Sequence, residues 1–168
     1  TLPQRERSFV GAWCFVDHYG PDDVSATGGM DVPPHPHTGL QTVSWLFEGE
    51  IEHRDSGGVH AMVRPGELNL MTSGYGIAHS EVSTPERDLL HGVQLWVALP
   101  EADRDLIREF QHHVPEPVDA DGVRHRLERN RPLLLPAGGD GLHRPDVLRR
   151  AAPAVHPHRA AQNPGARR

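Results

Sequence analysis

Pro34-His35-Pro36-His37 is the stretch of the chain that most directly predicts both its fold and its function. Side chains two residues apart lie on the same face of an extended strand, so His35 and His37 should point the same way. The prolines on either side of His35 favour an extended backbone, because proline restricts its own φ angle and the residue before it. We therefore predict a β-strand that presents two imidazoles to one side.

A second stretch, Gly76-Ile77-Ala78-His79-Ser80-Glu81, repeats this two-residue spacing 42 residues further along the chain. In a strand, His79 and Glu81 would also share one face. The intervening chain is long enough for several short strands, which could bring the second pair back across a barrel. We therefore predict that His35, His37, His79 and Glu81 form one metal site.

Chance must be weighed, because 13 histidines in 168 residues produce about one His-x-His pattern at random. The chain has two, and the other is His156-Pro157-His158. We interpret that copy as a chance occurrence, because it has no surrounding strand pattern and no nearby partner carboxylate. The significance of the first pair depends on His79 and Glu81. The alternative is that these histidines lie at the surface or are hydrogen-bonded in the core.

Three neutral imidazoles and one carboxylate suit Fe(II), Mn(II), Ni(II), Cu(II) or Zn(II), whereas metals that select thiolates are disfavoured. Four ligands on an octahedral ion leave two open positions. Open positions allow a metal to bind O₂ or a bidentate enol, as a catalytic centre requires. Cys14, the one cysteine, lies in an apolar run and is predicted to be a buried thiol.

Charge is distributed unevenly along the chain. Residues 1–118 carry 18 acidic residues and 7 arginines, whereas residues 119–168 carry 5 acidic residues and 10 arginines. The acidic charge of residues 1–118 disfavours direct binding of nucleic acid by this segment.

No apolar run approaches the ~20 residues needed to span a bilayer, and the start lacks a signal-peptide pattern, so we expect a cytoplasmic protein without a membrane partner.

Short apolar segments punctuated by turn residues about every 8 to 12 positions predict an all-β barrel or sandwich over residues 1–118. In the segment 41–47, we expect Val43, Trp45 and Phe47 to face the core. Residues 101–112 combine early acids with an apolar face, which favours one short helix after the last strand. Residues 119–168 are rich in Arg, Pro and Ala and predict an irregular, disordered tail.

For several residues other than the four predicted ligands, we predict a structural role and not metal binding. We expect His53, His60 and His91 to be strand-surface or hydrogen-bonded residues, although any of them could support a ligand from behind. Trp45, Trp96 and Phe47 are expected in the core rather than at a cofactor.

Together these motifs resemble the N-terminal domain of the pirin family within the cupin superfamily. The resemblance covers about residues 8–118. It rests on Gly29, His35-Pro36-His37, Gln41, Gly49, Arg64-Pro65-Gly66, residues 74–81, residues 48–56 and residues 90–97.

The resemblance implies a cupin-type antiparallel β-barrel, also called a double-stranded β-helix, with His35, His37, His79 and Glu81 as iron ligands. It also implies quercetin 2,3-dioxygenase-like activity, with a flavonol or enediol substrate and O₂, in which Glu81 could act as the base. Thr38 and Gln41 depart from the family pattern, which has an arginine and a glutamate near the site, and a glutamine cannot accept a proton.

Two alternatives remain open. The first is a non-enzymatic regulator in which the redox state of the metal changes a surface that a protein partner recognises. The second is a truncated remnant of a two-domain pirin, because residues 119–168 stand where the family has a second cupin domain. A frame-shifted gene and a natural disordered tail would both explain that tail.

Overall fold

In the computed structural model, residues 2–120 and 123–126 are described, and they form almost entirely antiparallel β-structure. The one helix in these residues, α1, has four residues and follows β1 directly. The elements in chain order are β1 Trp13–Asp23, α1 Val24–Thr27, β2 Asp31–His37, β3 Leu40–Glu48, β4 Ile51–Asp55, β5 His60–Val63, β6 Leu68–Thr72, β7 Ile77–Ser83, β8 Leu89–Ala98, β9 Glu109–His113, β10 Pro117–Ala120 and β11 Val123–Arg126.

Two sheets form the barrel. One has the strand order β1-β8-β3-β6-β9, and the other has the order β2-β7-β4-β5. Their inner faces meet in a buried cluster, to which the first sheet contributes Leu46 and Leu90 and the second contributes Ile51 and Val63. Apart from β4 and β5, the neighbouring strands in these two sheets are not consecutive in the chain, as in a barrel with crossing connections. The prediction of an all-β barrel is confirmed.

Strand β3 faces the interior with the opposite set of side chains from the one we predicted. Leu46 is fully buried in the interior cluster, whereas Phe47 is 47% exposed. Val43 is buried, but it packs on the outer face of the sheet against Leu70 and Val97. The prediction is confirmed for the burial of Val43 and is wrong for Phe47. This barrel also lines its interior with polar groups, so apolar alternation alone does not identify the inner face.

The helix predicted for residues 101–112 is not formed. Residues 101–105 make turns, and residues 109–113 form strand β9, which pairs with β6 from Leu68↔His113 to Thr72↔Glu109. Pairing satisfies the backbone donors and acceptors along the edge of β6. This tertiary pairing outweighs the local preference of an isolated segment for helix.

The predicted tail begins with ordered strands. Strand β10 crosses the predicted boundary at Val118 and pairs with β11, from Pro117↔Arg126 to Ala120↔Val123. Residues 119–120 and 123–126 are therefore in strands and do not have the irregular structure predicted from residue 119. The remainder of the predicted tail, residues 121–122 and 127–168, lies outside the described residues. Within the described part of the chain, no helix is long and apolar enough to cross a membrane.

Candidate metal centre

Three imidazoles converge inside the barrel. His35 and His37 lie on β2, and His79 lies directly opposite His35 on the paired strand β7. The Nε2 atoms of His37 and His79 are 3.1 Å apart, and one ring nitrogen of each of the three residues lies within 4.8 Å of the others. Two nitrogens bound at right angles to one metal at ~2.1 Å would lie about 3.0 Å apart. The spacing therefore fits ligands of one ion.

The hydrogen bonds of two of these rings leave Nε2 free to bind a metal. His35 donates from Nδ1 to the carbonyl oxygen of Pro33, at 2.9 Å. Behind His79, the Nε2 of His53 donates to Asp55 at 3.1 Å, so the Nδ1 of His53 accepts from the Nδ1 of His79 at 3.4 Å. Metal-binding histidines are typically held in this way by a second partner.

Burial keeps the central imidazoles neutral. Burial, followed by the neighbouring His35, lowers the pKa of His37 to about 4. The same causes, with His53 and His37 adding to them, lower the pKa of His79 to about 3. Both rings are therefore unprotonated at neutral pH, as ligation requires.

Glu81 is buried next to this cluster, but it belongs to a second group that shares His79. The potential ligand atoms of His53, His79 and Glu81 lie within 4.8 Å of one another. Both carboxylate oxygens of Glu81 accept from Nε2 of Gln94, each at 2.9 Å. Burial raises the pKa of Glu81, and the Gln94 hydrogen bond partly opposes that shift. The structure thus groups His35 and His37 with His79, and it groups Glu81 with His79 and His53.

His53 and Trp96, for which the sequence predicted a structural role, contact the imidazole cluster. His53 is 2% exposed and supports His79 from behind. Its sequence signal was the His53-Arg54-Asp55 spacing, which places the ring and the carboxylate on one strand face. Trp96 lies edge-on against His37, with ring centroids 4.9 Å apart, and stacks on Phe15 at 4.2 Å. No local pattern distinguished this tryptophan from a core residue.

Gln41, which the family resemblance places near the site, lies on the other face of its sheet. It pairs with Val97 on β8, whereas its neighbour Thr42 pairs with Trp96, whose ring contacts His37. Side chains alternate along a strand, so Gln41 faces away from the centre with Val97. Its Nε2 donates to Oγ1 of Thr72 at 2.8 Å. The glutamine is therefore not a lost base inside the barrel.

Asp55→Asn should weaken metal binding by about 10- to 100-fold, because Asp55 sets the proton positions behind His79. The asparagine amide would donate to Nε2 of His53 and reverse the proton positions on the two rings. Chelator competition on the purified protein measures the metal dissociation constant. Asp105→Asn, an exposed residue in the turns at 101–105, is the matched control. Unchanged affinity in Asp55→Asn would contradict the proposed hydrogen-bond chain.

An antiparallel barrel with imidazoles converging between its sheets defines a cupin-type protein with a candidate metal centre. The Pirin family model matches residues 1–97, and the chain belongs to the pirin family. The resemblance seen in the motifs is thereby confirmed.

Relatives and solved structures agree with this assignment. A Pseudomonas aeruginosa protein, named provisionally as a quercetin 2,3-dioxygenase, is 52% identical over 112 residues, covering 67% of this chain and 36% of its own length. A Caulobacter vibrioides pirin-like protein is 44% identical over 118 residues, with coverages of 67% and 41%. The chain therefore spans well under two thirds of the length of these relatives.

Among solved structures, a quercetin 2,3-dioxygenase from Acinetobacter baumannii matches with a TM-score of 0.68 and 45% identity, covering 73% of this chain and 42% of its own. The Escherichia coli pirin YhhW, solved in complex with nickel(II), matches with a TM-score of 0.53 and 25% identity, with coverages of 67% and 45%.

Proposed function

We propose that this protein is a mononuclear metal-binding cupin with quercetin 2,3-dioxygenase-type activity. The proposed ligands are His35, His37, His79 and Glu81. The observation that carries the proposal is the convergence of neutral imidazole nitrogens inside the barrel, with Nε2 of His37 and His79 at 3.1 Å. Iron is our first choice of metal, and Mn, Ni, Cu and Zn also suit these donors. The nickel complex of a pirin supports metal binding in this family.

When bound, the metal would act as a Lewis acid toward the enol oxygen of a flavonol and toward O₂. The chain itself supplies orientation and shielding from water. Phe15 and Trp96 form a stacked aromatic wall beside His37, which suits a flat aromatic substrate. Gln94 holds the Glu81 carboxylate in place with two hydrogen bonds.

An open cleft of about 470 Å³ lies between the end of β1 and the segment that leads into β2. Its volume falls within the ~300–1,000 Å³ of small-molecule sites. Tyr19 lines the cleft, and Val32, which also lines it, pairs with Glu81 on β7. This neighbourhood supports entry of a flavonol from the β1–β2 side. The full lining is Tyr19, Gly20, Pro21, Asp22, Gly29, Met30, Asp31, Val32 and Leu90.

The test is to purify the full chain without oxygen, measure its metals by elemental analysis, and then follow quercetin absorbance after O₂ is admitted. We expect close to one equivalent of a transition metal and metal-dependent loss of quercetin. Protein without bound transition metal, even after incubation with Fe(II) or Ni(II), would contradict the proposal. Removing the metal with a chelator should stop quercetin loss, and adding it back should restore the loss.

The non-enzymatic alternative shares the same metal centre. Stoichiometric metal without quercetin loss would favour a regulator whose metal redox state alters a surface read by a protein partner. The aromatic wall beside His37 favours the enzymatic reading, because a purely structural metal does not need one.

A further inference from the structure

One row of side chains on β1 faces the barrel interior. In the antiparallel pairing of β1 with β8, Phe15 lies opposite Trp96, Asp17 opposite Gln94, and Tyr19 opposite Gly92. Directly paired residues project from the same face of a sheet. The ring stack of Phe15 on Trp96, at 4.2 Å, agrees with this register. Asp17 therefore faces the same interior as Gln94.

The intervening residue supports this orientation. His18 is exposed, and its Nε2 lies 2.9 Å from that of His91 on the outer face of the sheet. Asp17, by contrast, is only partly exposed. Alternation along the strand thus places His18 outside and Asp17 inside.

Asp17 is positioned across the barrel from the proposed metal ligands. Its cross-strand partner Gln94 holds both carboxylate oxygens of Glu81, and paired Cβ atoms lie only about 4.5–5.5 Å apart. Trp96, two residues along β8 on the same face, contacts His37. Burial, then the charges of Glu81 and Asp17, raise the pKa of Tyr19, so both carboxylates lie near its phenol.

The carboxylate of Asp17 differs from those of Glu81 and Asp55 in its hydrogen bonding. Glu81 accepts from Gln94 and is a proposed metal ligand, and Asp55 accepts from His53 and from the backbone of Gly57 and Val59. In the described part of the chain, no hydrogen bond or ion pair is found for the side chain of Asp17. Its oxygens are therefore available to a ligand.

We propose that Asp17 is the proton acceptor for the enol hydroxyl of the substrate. The inference rests on the proposed function, and it assigns the base to β1 rather than to Gln41 or Glu81. The hydroxyl O–H bond breaks, and its proton binds a carboxylate oxygen of Asp17. The electron pair stays on the substrate oxygen, leaving an enolate and a neutral carboxylic acid. General bases of this kind contribute typically 10²- to 10⁴-fold to rate.

The substrate class follows from this placement. Asp17 and the aromatic wall of Phe15 and Trp96 project from the sheet that contains β1 and β8. The imidazoles project from the sheet that contains β2 and β7, and the Trp96 ring contacts His37. A fitting ligand is flat and aromatic, with a hydroxyl beside a carbonyl on one edge. A flavonol has this chemistry, whereas a flavone lacking the 3-hydroxyl has no proton for Asp17 to accept.

The test compares the wild-type full chain with Asp17→Asn, Asp17→Glu and Asp105→Asn, all loaded with metal and kept free of O₂. Mixing with quercetin is followed through the red-shifted absorbance of the deprotonated flavonol, and metal content is measured in parallel. We expect Asp17→Asn to keep its metal but to form the deprotonated flavonol at least about 100-fold more slowly. Asp17→Glu should recover part of the rate, and Asp105→Asn should match wild type.

The outcomes separate this inference from the proposed function. If wild type and Asp17→Asn deprotonate the flavonol at the same rate, Asp17 is not the acceptor, although the proposed function stands. If Asp17→Asn is slow only because it loses metal or its far-ultraviolet spectrum, and Asp17→Glu loses them equally, the role is structural and the inference is wrong. If metal-loaded wild type leaves quercetin protonated, both proposals are overturned.

Discussion

Replacing His79 with alanine should reduce affinity for the transition metal by more than about 100-fold, beyond the loss expected for a residue behind a ligand. His79 contacts both potential ligand groups, with Nε2 toward His37 and Nδ1 toward His53. No other described residue is shared by the two groups. The measurement is elemental analysis after dialysis, followed by chelator competition for the dissociation constant.

His79 is buried, so its loss could also loosen the core, and His35→Ala provides a second variant. His35 is only partly buried, and its removal should weaken binding without disturbing the interior. The double variant His18→Ala/His91→Ala is the matched control. That outer pair has a similar Nε2–Nε2 distance, 2.9 Å, but belongs to no three-ligand group in the described residues. Equal metal loss in the control and in His35→Ala would show that the centre has been misplaced.

Gly74→Ala should destabilise the metal-free protein by about 3 kcal/mol or more, a large share of a typical folding free energy of 5–15 kcal/mol. Gly74 has a φ of 51°, and a Cβ built there would overlap the backbone carbonyl oxygen of Leu106. That carbonyl accepts from the backbone N–H of Tyr75, so it cannot move without breaking the turn. Urea unfolding followed by circular dichroism measures the change.

Gly28→Ala separates steric overlap from backbone preference. Gly28 has a φ of 86°, but a Cβ there would meet nothing within 4 Å. Its substitution should cost only about 1–2 kcal/mol, the usual penalty of the left-handed conformation. If both variants lose the same stability, the contact with Leu106 does not constrain the turn. The turn matters for function because it leads into β7, which carries His79 and Glu81.

Much of the barrel could be predicted from turn residues and short apolar segments, because hairpins depend on neighbouring residues. The helix prediction for residues 101–112 was wrong because pairing with a distant strand, and not their local sequence, determined their structure. Their composition favours a helix locally, but residues Glu109–His113 pair with the edge of β6. The inner face of β3 was also misassigned, since Thr42 and Ser44 line an interior that holds a polar centre.

The candidate metal centre also depends partly on local spacing and partly on long-range strand register. The two-residue spacing of His35 and His37 is a local property, and so is that of His79 and Glu81. The support of His79 by His53 depends on the register of β4 with β7, where His53 pairs with Glu81 and Asp55 with His79. No pattern within a single strand reports such a register, because it is set by hydrogen bonds between distant segments.

The sequence by itself determined the family, the all-β class and which histidines share a strand face, because these depend on composition, turn residues and the alternation of side chains. Only the tertiary structure decided which strands pair and in what register. That register places Gln41 on the sheet face away from the imidazoles, His53 behind His79 and Asp17 opposite Gln94. The physical reason is that long-range backbone pairing, and not local propensity, determines what lies across the interior from the imidazoles.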